Sequence, residues 1–292
     1  MDSTPLVGII VLNYNGAHCL EACLTSLRAL TYQNFFVLVV DNDSRDGSSE
    51  LAQAHFPEYS FLKNSANLGF AAGMNVGIRE ALKRKAERFW LLNNDARVTA
   101  ESLSLLVEES RKGGLLSPVI REASGQPWFE KGAVSFLRMR ATHVTPTWRE
   151  RRADSYESEF VTGCALLITK DVVAKIGYLD EQFFLYYEDA DYSFRARKAG
   201  FPVLVVPKAL VYHDEQSRWN STKLYHLILS GLIFFHKQAS FFLKPYLALY
   251  GTIRRVKNRF DLLRSKEGAR DVRRAYYHFS HDRSTDHITH FR

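Results

Sequence analysis

The chain has 292 residues and is 46% hydrophobic and 24% charged, a composition that excludes a mainly disordered protein. Its three cysteines include no CxxC pair, which excludes a disulfide-stapled miniprotein, argues against structural zinc and fits a reducing compartment. The net charge of +7 is uneven: residues 218–292 hold 15 Lys and Arg against 5 Asp and Glu, so the preceding body is slightly acidic and nucleic acid is not an expected partner.

Val7–Leu12 reads as a buried strand ending in Asn13-Tyr14-Asn15-Gly16, followed by a helix that places Leu20, Cys23, Leu24 and Leu27 on one face. Phe35–Val40 is a second strand, ending in Asp41-Asn42-Asp43-Ser44, and Asp46 is the expected cap of a helix over Ser48–His55. A short strand at Tyr59–Leu62, a polar loop to Gly69 and a helix over Ala71–Lys85 lead to a fourth strand, Arg88–Leu92, which ends in Asn93-Asn94-Asp95. This alternation predicts an α/β fold: a mostly parallel, Rossmann-like sheet flanked by helices.

A helix over Leu103–Glu109 and a strand over Leu115–Ile120 follow. Residues 122–157 show no period and are expected to form a long loop or flap. Phe160–Thr169 reads as a strand, Lys170–Ile176 and Glu188–Lys198 as helices, and Pro202–Val206 and Leu210–Tyr212 as two short strands. From Ser217 the composition becomes aromatic, apolar and basic, predicting two amphipathic helices split near Pro245 and a partly disordered tail over Tyr276–Arg292. The tail's His278, His281, His287 and His290 are too irregularly spaced for a metal site. The expected division is a catalytic unit over 1–217, with a nucleotide-binding half to residue 100 and an acceptor half after it, and an aromatic-basic region over 218–292.

In an open parallel sheet, ligands bind outside the carboxyl ends of the strands. Three strands here end in Asn- and Asp-rich clusters that share one sheet edge. Turn formation alone accounts for one such cluster, whereas three in register favour a ligand site. No GxGxxG follows the first strand and no GxxxxGK[ST] occurs, so a backbone phosphate cradle is not expected. Carboxylates at strand ends suit a hard divalent cation bridging protein and phosphate oxygens, with Asp95 as a ligand and Asp41 as an acceptor for a base or ribose.

The segments Ile10–Asn15, Val40–Ser44, Asn67–Ala71 with Asn75, Leu91–Asp95, Thr162–Ala165, Phe183–Asp191 with Arg195 and Gly200, and Val211-Tyr212-His213 together resemble glycosyltransferase family 2. The resemblance spans roughly residues 6–240. It implies the A-type glycosyltransferase fold and an inverting, metal-dependent transfer of sugar from a nucleotide-sugar donor. The pattern is most similar to bacterial rhamnosyltransferase-like members that build lipid-linked cell-wall or polysaccharide glycans. That similarity implies rhamnose from dTDP-rhamnose as the first expectation and a glycan or polyprenyl-diphosphate-linked glycan as acceptor. The residues themselves do not separate that donor from a UDP-hexose.

On the matching positions, the resemblance makes Asp189 the catalytic base, with Glu188 as its partner. It makes Asp95, with His213, the site of a divalent metal, Mg or Mn; Asn93 stands where the family's metal motif begins with Asp. Asp41 is implied to bind the nucleotide, and with the strand-end Asn13, Asn15 and Asn94 and with Asn67 it makes up the expected nucleotide-sugar-binding set. Glu188 and Asp191 share a helix face and Asp189 does not, so one carboxylate can be structural and another catalytic. Arg97, Arg195 and Arg197 are candidates for a diphosphate, and Trp128 and Trp148 for stacking on an acceptor sugar; each has an ordinary structural alternative.

Nothing near the N-terminus reads as a secretory leader, and no apolar run is long enough to span a bilayer. The aromatic-basic C-terminal region reads as an interfacial element on an anionic membrane surface, or else as core or dimer interface. The expected location is therefore cytoplasmic and peripheral, on the inner face of the cell membrane. Two rivals remain at this level: a nucleotidyltransferase, which would usually show a Gly-rich basic loop after the first strand, and an inactive glycan- or lipid-binding scaffold.

Overall fold

A computed structural model describes residues 4–214 and 221–281. Its first part alternates as the sequence predicts: β1 (Val7–Asn13), α1 (Leu20–Arg28), β2 (Phe35–Asp41), α2 (Ser48–His55), β3 (Ser60–Lys63), α3 (Gly69–Lys83) and β4 (Arg88–Asn93). The apolar runs of β1, β2 and β4 are buried, as parallel strands covered on both faces must be. These four strands are parallel in the order β3-β2-β1-β4. The order reverses at β1, because α3 carries the chain back across to β1's other side. Helix and sheet approach closely there: a Cβ on Gly77 would lie 2.3 Å from Ile10.

The second part contains β5 (Ala96–Val98), α4 (Ser102–Glu109), β6 (Leu115–Glu122), β7 (Pro127–Phe129), β8 (Gly132–Ser135), β9 (Arg140–His143), β10 (Tyr156–Glu157), β11 (Ala165–Thr169), α5 (Lys170–Ile176), α6 (Glu188–Lys198) and β12 (Val203–His213). The complete order is β10-β12-β6-β11-β4-β1-β2-β3, with β5 on β12 and β7 on β6. β11 runs against both β4 and β6, while β12 and β6 are parallel. The sheet is mixed but mostly parallel.

Several expectations are corrected. Residues 122–157 form β7, the β8–β9 hairpin and β10 rather than a long loop; the strands are too short for period 2 to show, and long-range contacts such as Tyr156 Oη donating to the Glu130 carbonyl hold them. The strand expected over Phe160–Thr169 begins at Ala165; residues 160–164 are buried without pairing as a strand. The two strands expected after residue 202 are one, β12, with a bulge between Val206 and Leu210. The N-cap of α2 is Gly47, at φ 76°. Asp46 still serves that helix start by accepting from Ser48 N at 3.1 Å.

Among the described residues, the C-terminal region holds three α-helices rather than two: α7 (Ser221–Gln238), α8 (Lys244–Leu263) and α9 (Ala269–His281). α7 is part of the body. Its Phe234 and Phe235 are fully buried beside Phe136, Tyr187 and Phe194. The expected disorder does not begin at Tyr276, which is buried in α9. Ser217, His287 and His290 lie outside the described residues. Among the described residues, no helix is long and apolar enough to cross a membrane.

Candidate active site

The parallel register places Asn13 beside Asp41 and Leu12 beside Asn93, so the polar strand ends meet at the point where the strand order reverses. Asn13 is the hub. Its Nδ2 lies within 3.1 Å of Asp41 Oδ1, Ser44 Oγ and Ser48 Oγ, and its Oδ1 accepts from Asn94 Nδ2 at 2.9 Å. Asn13 and Asp41 are both buried. Both Asp41 oxygens already accept a protein donor, the second from Ser44 N at 3.1 Å. Asn15 is exposed, and its Oδ1 accepts from Arg45 N at 2.9 Å. Asn67 Oδ1 accepts from Gly69 N at 2.9 Å. Asn42, which the sequence reading did not single out, donates to the Gly69 carbonyl at 2.9 Å and accepts from Asn64 at 2.7 Å, tying the neighbouring loops together.

Next to this edge is a cleft of about 660 Å³ whose lining includes Asn93, Asp95, Cys164, Glu188, Asp189 and His213. The β4–β5 turn carries Asp95, and the end of β12 carries His213; β5 pairs with β12 and joins them. Asp95 Oδ1 and His213 Nε2 lie 3.1 Å apart, yet neither buried atom has an aligned hydrogen-bond partner. Burial pushes Asp95 up, but the adjacent His213 imidazole outweighs it and holds the carboxyl below its ordinary range. A carboxylate oxygen and an imidazole nitrogen side by side at a cleft wall, without an aligned hydrogen bond between them, are ligand types that fit a divalent cation. Among the described residues, no group of three or more His, Cys, Asp or Glu forms a complete protein cage. Such an ion would need further oxygens from a ligand or water.

Across the cleft, α6 begins at Glu188 after Tyr186 and Tyr187, both in left-handed conformations with φ of 70° and 66°. That reversal aims two adjacent carboxylates at the cavity. Asp189 Oδ2 accepts from Gly163 N at 3.0 Å, and Oδ1 accepts from Ala190 N at 2.7 Å. Burial nevertheless raises Asp189 above its ordinary value. Glu188 is raised further, by burial and then by the charge of Asp189, and its Oε2 is buried without a partner. Burial and mutual repulsion therefore make this adjacent pair harder to ionise fully than two ordinary carboxylates, Glu188 more so than Asp189. Asp191 has a different role: it is fully buried and accepts from Arg195, Lys237 and Gln238, joining α6 to α7.

Arg97, Arg195 and Arg197 do not line the cleft. Arg97 forms a two-pronged ion pair with Asp214, Arg195 holds Asp191 and the carbonyls of Ile176 and Tyr178, and Arg197 is exposed. Trp128 does line it and packs on His213 with ring centroids 4.4 Å apart. Trp148 is outside it, under Arg152. The basic residues at the cleft are Arg140 from the hairpin and Lys223 from α7. His143, also on the hairpin, sends Nδ1 to the Trp128 carbonyl at 2.7 Å. A carbonyl only accepts, so Nδ1 carries the proton; burial holds the ring below its ordinary pKa, leaving Nε2 as an acceptor. Nothing in an aperiodic stretch signalled these hairpin residues.

Residues 8–177 match the family model described as Glycosyl transferase family 2. Over 236 residues the chain is 26% identical to an N-acetylglucosaminyl-diphospho-decaprenol L-rhamnosyltransferase of Mycobacterium tuberculosis, covering 73% of this chain and 77% of the relative. A mannosyltransferase from Pyrobaculum calidifontis, solved with GDP-Man and Mn2+, superposes with a TM-score of 0.62 at 15% identity, covering 97% of this chain and 89% of that one. GalNAc-T7, solved with UDP, GalNAc and Mn2+, gives 0.64 at 16% identity, covering 76% of this chain; this chain spans about half of it, 48%. These likenesses establish the A-type glycosyltransferase fold.

Proposed function

Because the chain belongs to glycosyltransferase family 2, we propose that it is an inverting transferase that moves a sugar from a nucleotide-sugar donor to a hydroxyl of a glycan or polyprenyl-diphosphate-linked glycan. The observation that carries this reading is that the Asp95–His213 pair and Asp189 line one and the same cleft. A donor bound between them has its diphosphate toward the pair and its anomeric carbon toward the carboxylate. The strand-end residues Asn13, Asp41 and Asn94 shape the nucleoside end, with Asn15 and Asn67 bracing the adjoining loops.

Asp189 takes the proton of the acceptor hydroxyl as that oxygen attacks the anomeric carbon from the face opposite the leaving group. The bond from that carbon to the diphosphate oxygen breaks, the configuration inverts, and the nucleoside diphosphate leaves. The Gly163 N–H fixes one carboxylate oxygen of the base. Asp95 and His213 are the residues that would hold Mg or Mn, which when bound supplies positive charge to the departing diphosphate. Glu188, raised by burial and by the charge of Asp189, keeps its proton more readily than an ordinary glutamate and in that form presents a hydrogen bond.

The mycobacterial relative's name supports L-rhamnose as the donor sugar and a lipid-diphosphate-linked acceptor; dTDP-rhamnose is accordingly the first donor to try. The test is a donor screen that follows nucleoside diphosphate release by the purified protein with dTDP-rhamnose and a panel of UDP- and GDP-sugars. Turnover with an acceptor, lost in Asp189→Asn, supports the proposal. No release with any donor and acceptor pair while nucleotides bind would favour a binding scaffold.

A further inference from the structure

The large exposed apolar side chains concentrate on one element. Phe241 and Phe242 precede α8, and Leu249, Ile253, Val256, Phe260 and Leu263 lie along it, 47–82% exposed. The helical spacings of 4, 3, 4 and 3 residues confine those five to an arc of about 80° at roughly 100° per residue. The opposite face, through Leu247 and Asn258, is buried against the body and α9. Among the described residues, α8 is therefore covered on the Leu247–Asn258 face, while its apolar stripe from Leu249 to Leu263 is left uncovered.

Charge decides between two occupants. The same 4-3 spacing is that of a coiled-coil seam, so a second copy is the natural rival. The positions flanking such a seam, however, carry Lys257, Arg259 and Arg264, which would face their own like across a homodimer. Residues 244–264 hold six basic side chains and one acidic one, Asp261, already paired with Lys257 and Lys266. An apolar stripe bordered on both sides by long basic side chains matches an interface of acyl chains and anionic headgroups: the apolar residues enter, and the Lys and Arg stems extend outward to the headgroups.

We propose that the exposed face of α8, extended by Phe241 and Phe242, is a docking surface for an anionic lipid bilayer, on which the helix lies in the plane of the surface. This deepens the reading of a lipid-linked acceptor, which would be met at that surface. It uses none of the cleft residues, because no residue of α8 lines the cleft.

The test is co-sedimentation of the full chain with vesicles of phosphatidylcholine alone and of phosphatidylcholine with phosphatidylglycerol, at low and high salt. Binding to the phosphatidylglycerol vesicles is expected, weakened by salt. Ile253→Asp and Phe260→Asp should each lower it by at least about tenfold while leaving the melting temperature unchanged. Failure of the intact protein to bind at low salt, or equal binding by the variants, overturns the proposal. So does a dimer in sedimentation velocity that Ile253→Asp converts to a monomer, which would assign the face to a second copy. Since the readout is lipid binding, loss of vesicle binding and loss of sugar transfer are separate failures.

Discussion

Asp189 and Glu188 are adjacent in the chain but differ in what the fold does to their protons. A general base must be deprotonated to act, so a raised Asp189 places the acid limb of kcat above the range of an ordinary aspartate. Asp189→Asn should lower kcat by about 10²–10⁴ with donor binding and melting temperature near wild type, checked by acceptor-dependent transfer and calorimetry. Glu188 has a raised folded value, so its protonation favours the folded state. That contribution is present below the ordinary glutamate range and is lost as pH rises through the raised value. Glu188→Gln keeps the neutral form at all pH. Its melting temperature should exceed wild type at neutral pH and converge with it in acid, and its kcat should fall less than that of Asp189→Asn. Equal melting curves at both pH values would place the proton elsewhere. At the other wall, Asp95→Ala and EDTA should each remove most transfer; full turnover in excess chelator would end the metal role.

Elements converge on the cleft through a few tight contacts. α3 begins at Gly69, with φ +80°, where an added Cβ would meet the Phe184 carbonyl at 2.5 Å. Phe70 N donates to that same carbonyl at 2.7 Å, so the start of α3 positions the segment that leads into α6. Gly69→Ala should cost about 1–3 kcal/mol by strain alone and also reduce kcat, measured by denaturant unfolding and transfer together. α6 and α7 are joined through Asp191. Removing it as Asp191→Ala takes away the carboxylate that Arg195, Lys237 and Gln238 share, although Arg195 keeps the Ile176 and Tyr178 carbonyls and Lys237 keeps Asp180. Breaking such a pair costs about 3–5 kcal/mol when fully buried; with the partner side chains 21% and 34% exposed, a loss near the lower end is expected. The periodicity of α1 through β4 was legible because their apolar runs are long enough to repeat. The β8–β9 hairpin was not: its strands are four residues each, and contacts distant in sequence hold them in place.

At the scale of the whole molecule, the C-terminal region divides by what covers it. α7 closes the core, with Ser230 Oγ donating to the Leu185 carbonyl and Gly231 against the Tyr187 ring. It also brings Lys223 and Leu227 to the cleft. A chain ending at residue 220 should therefore lose cooperative thermal unfolding, because Phe136, Tyr187 and Phe194 lose their packing on Phe234 and Phe235. α9 covers another part of α7, where Tyr225, Leu229 and Ala275 form a small second core. Among the described residues of this region, α8 keeps a broad apolar stripe outward. In the sequence all three look alike, since each mixes aromatic and basic residues.

Local information was enough for the alternating half of the fold and for the polar strand ends, because hydrophobic period and turn chemistry act over a few residues. The ordered motifs from Ile10 to His213 also pointed to the family that the match over residues 8–177 establishes. What a side chain does at those positions is a different kind of fact. Asn13 became a buried hub, Asp191 a core anchor and Arg195 its partner, while Arg140, His143 and Lys223 came to the cleft from elements with no signal of their own. Which of two neighbouring carboxylates holds the proton, and which face of α8 stays bare, depend on burial. Burial is set by residues far apart in the chain, and only the tertiary structure brings them together.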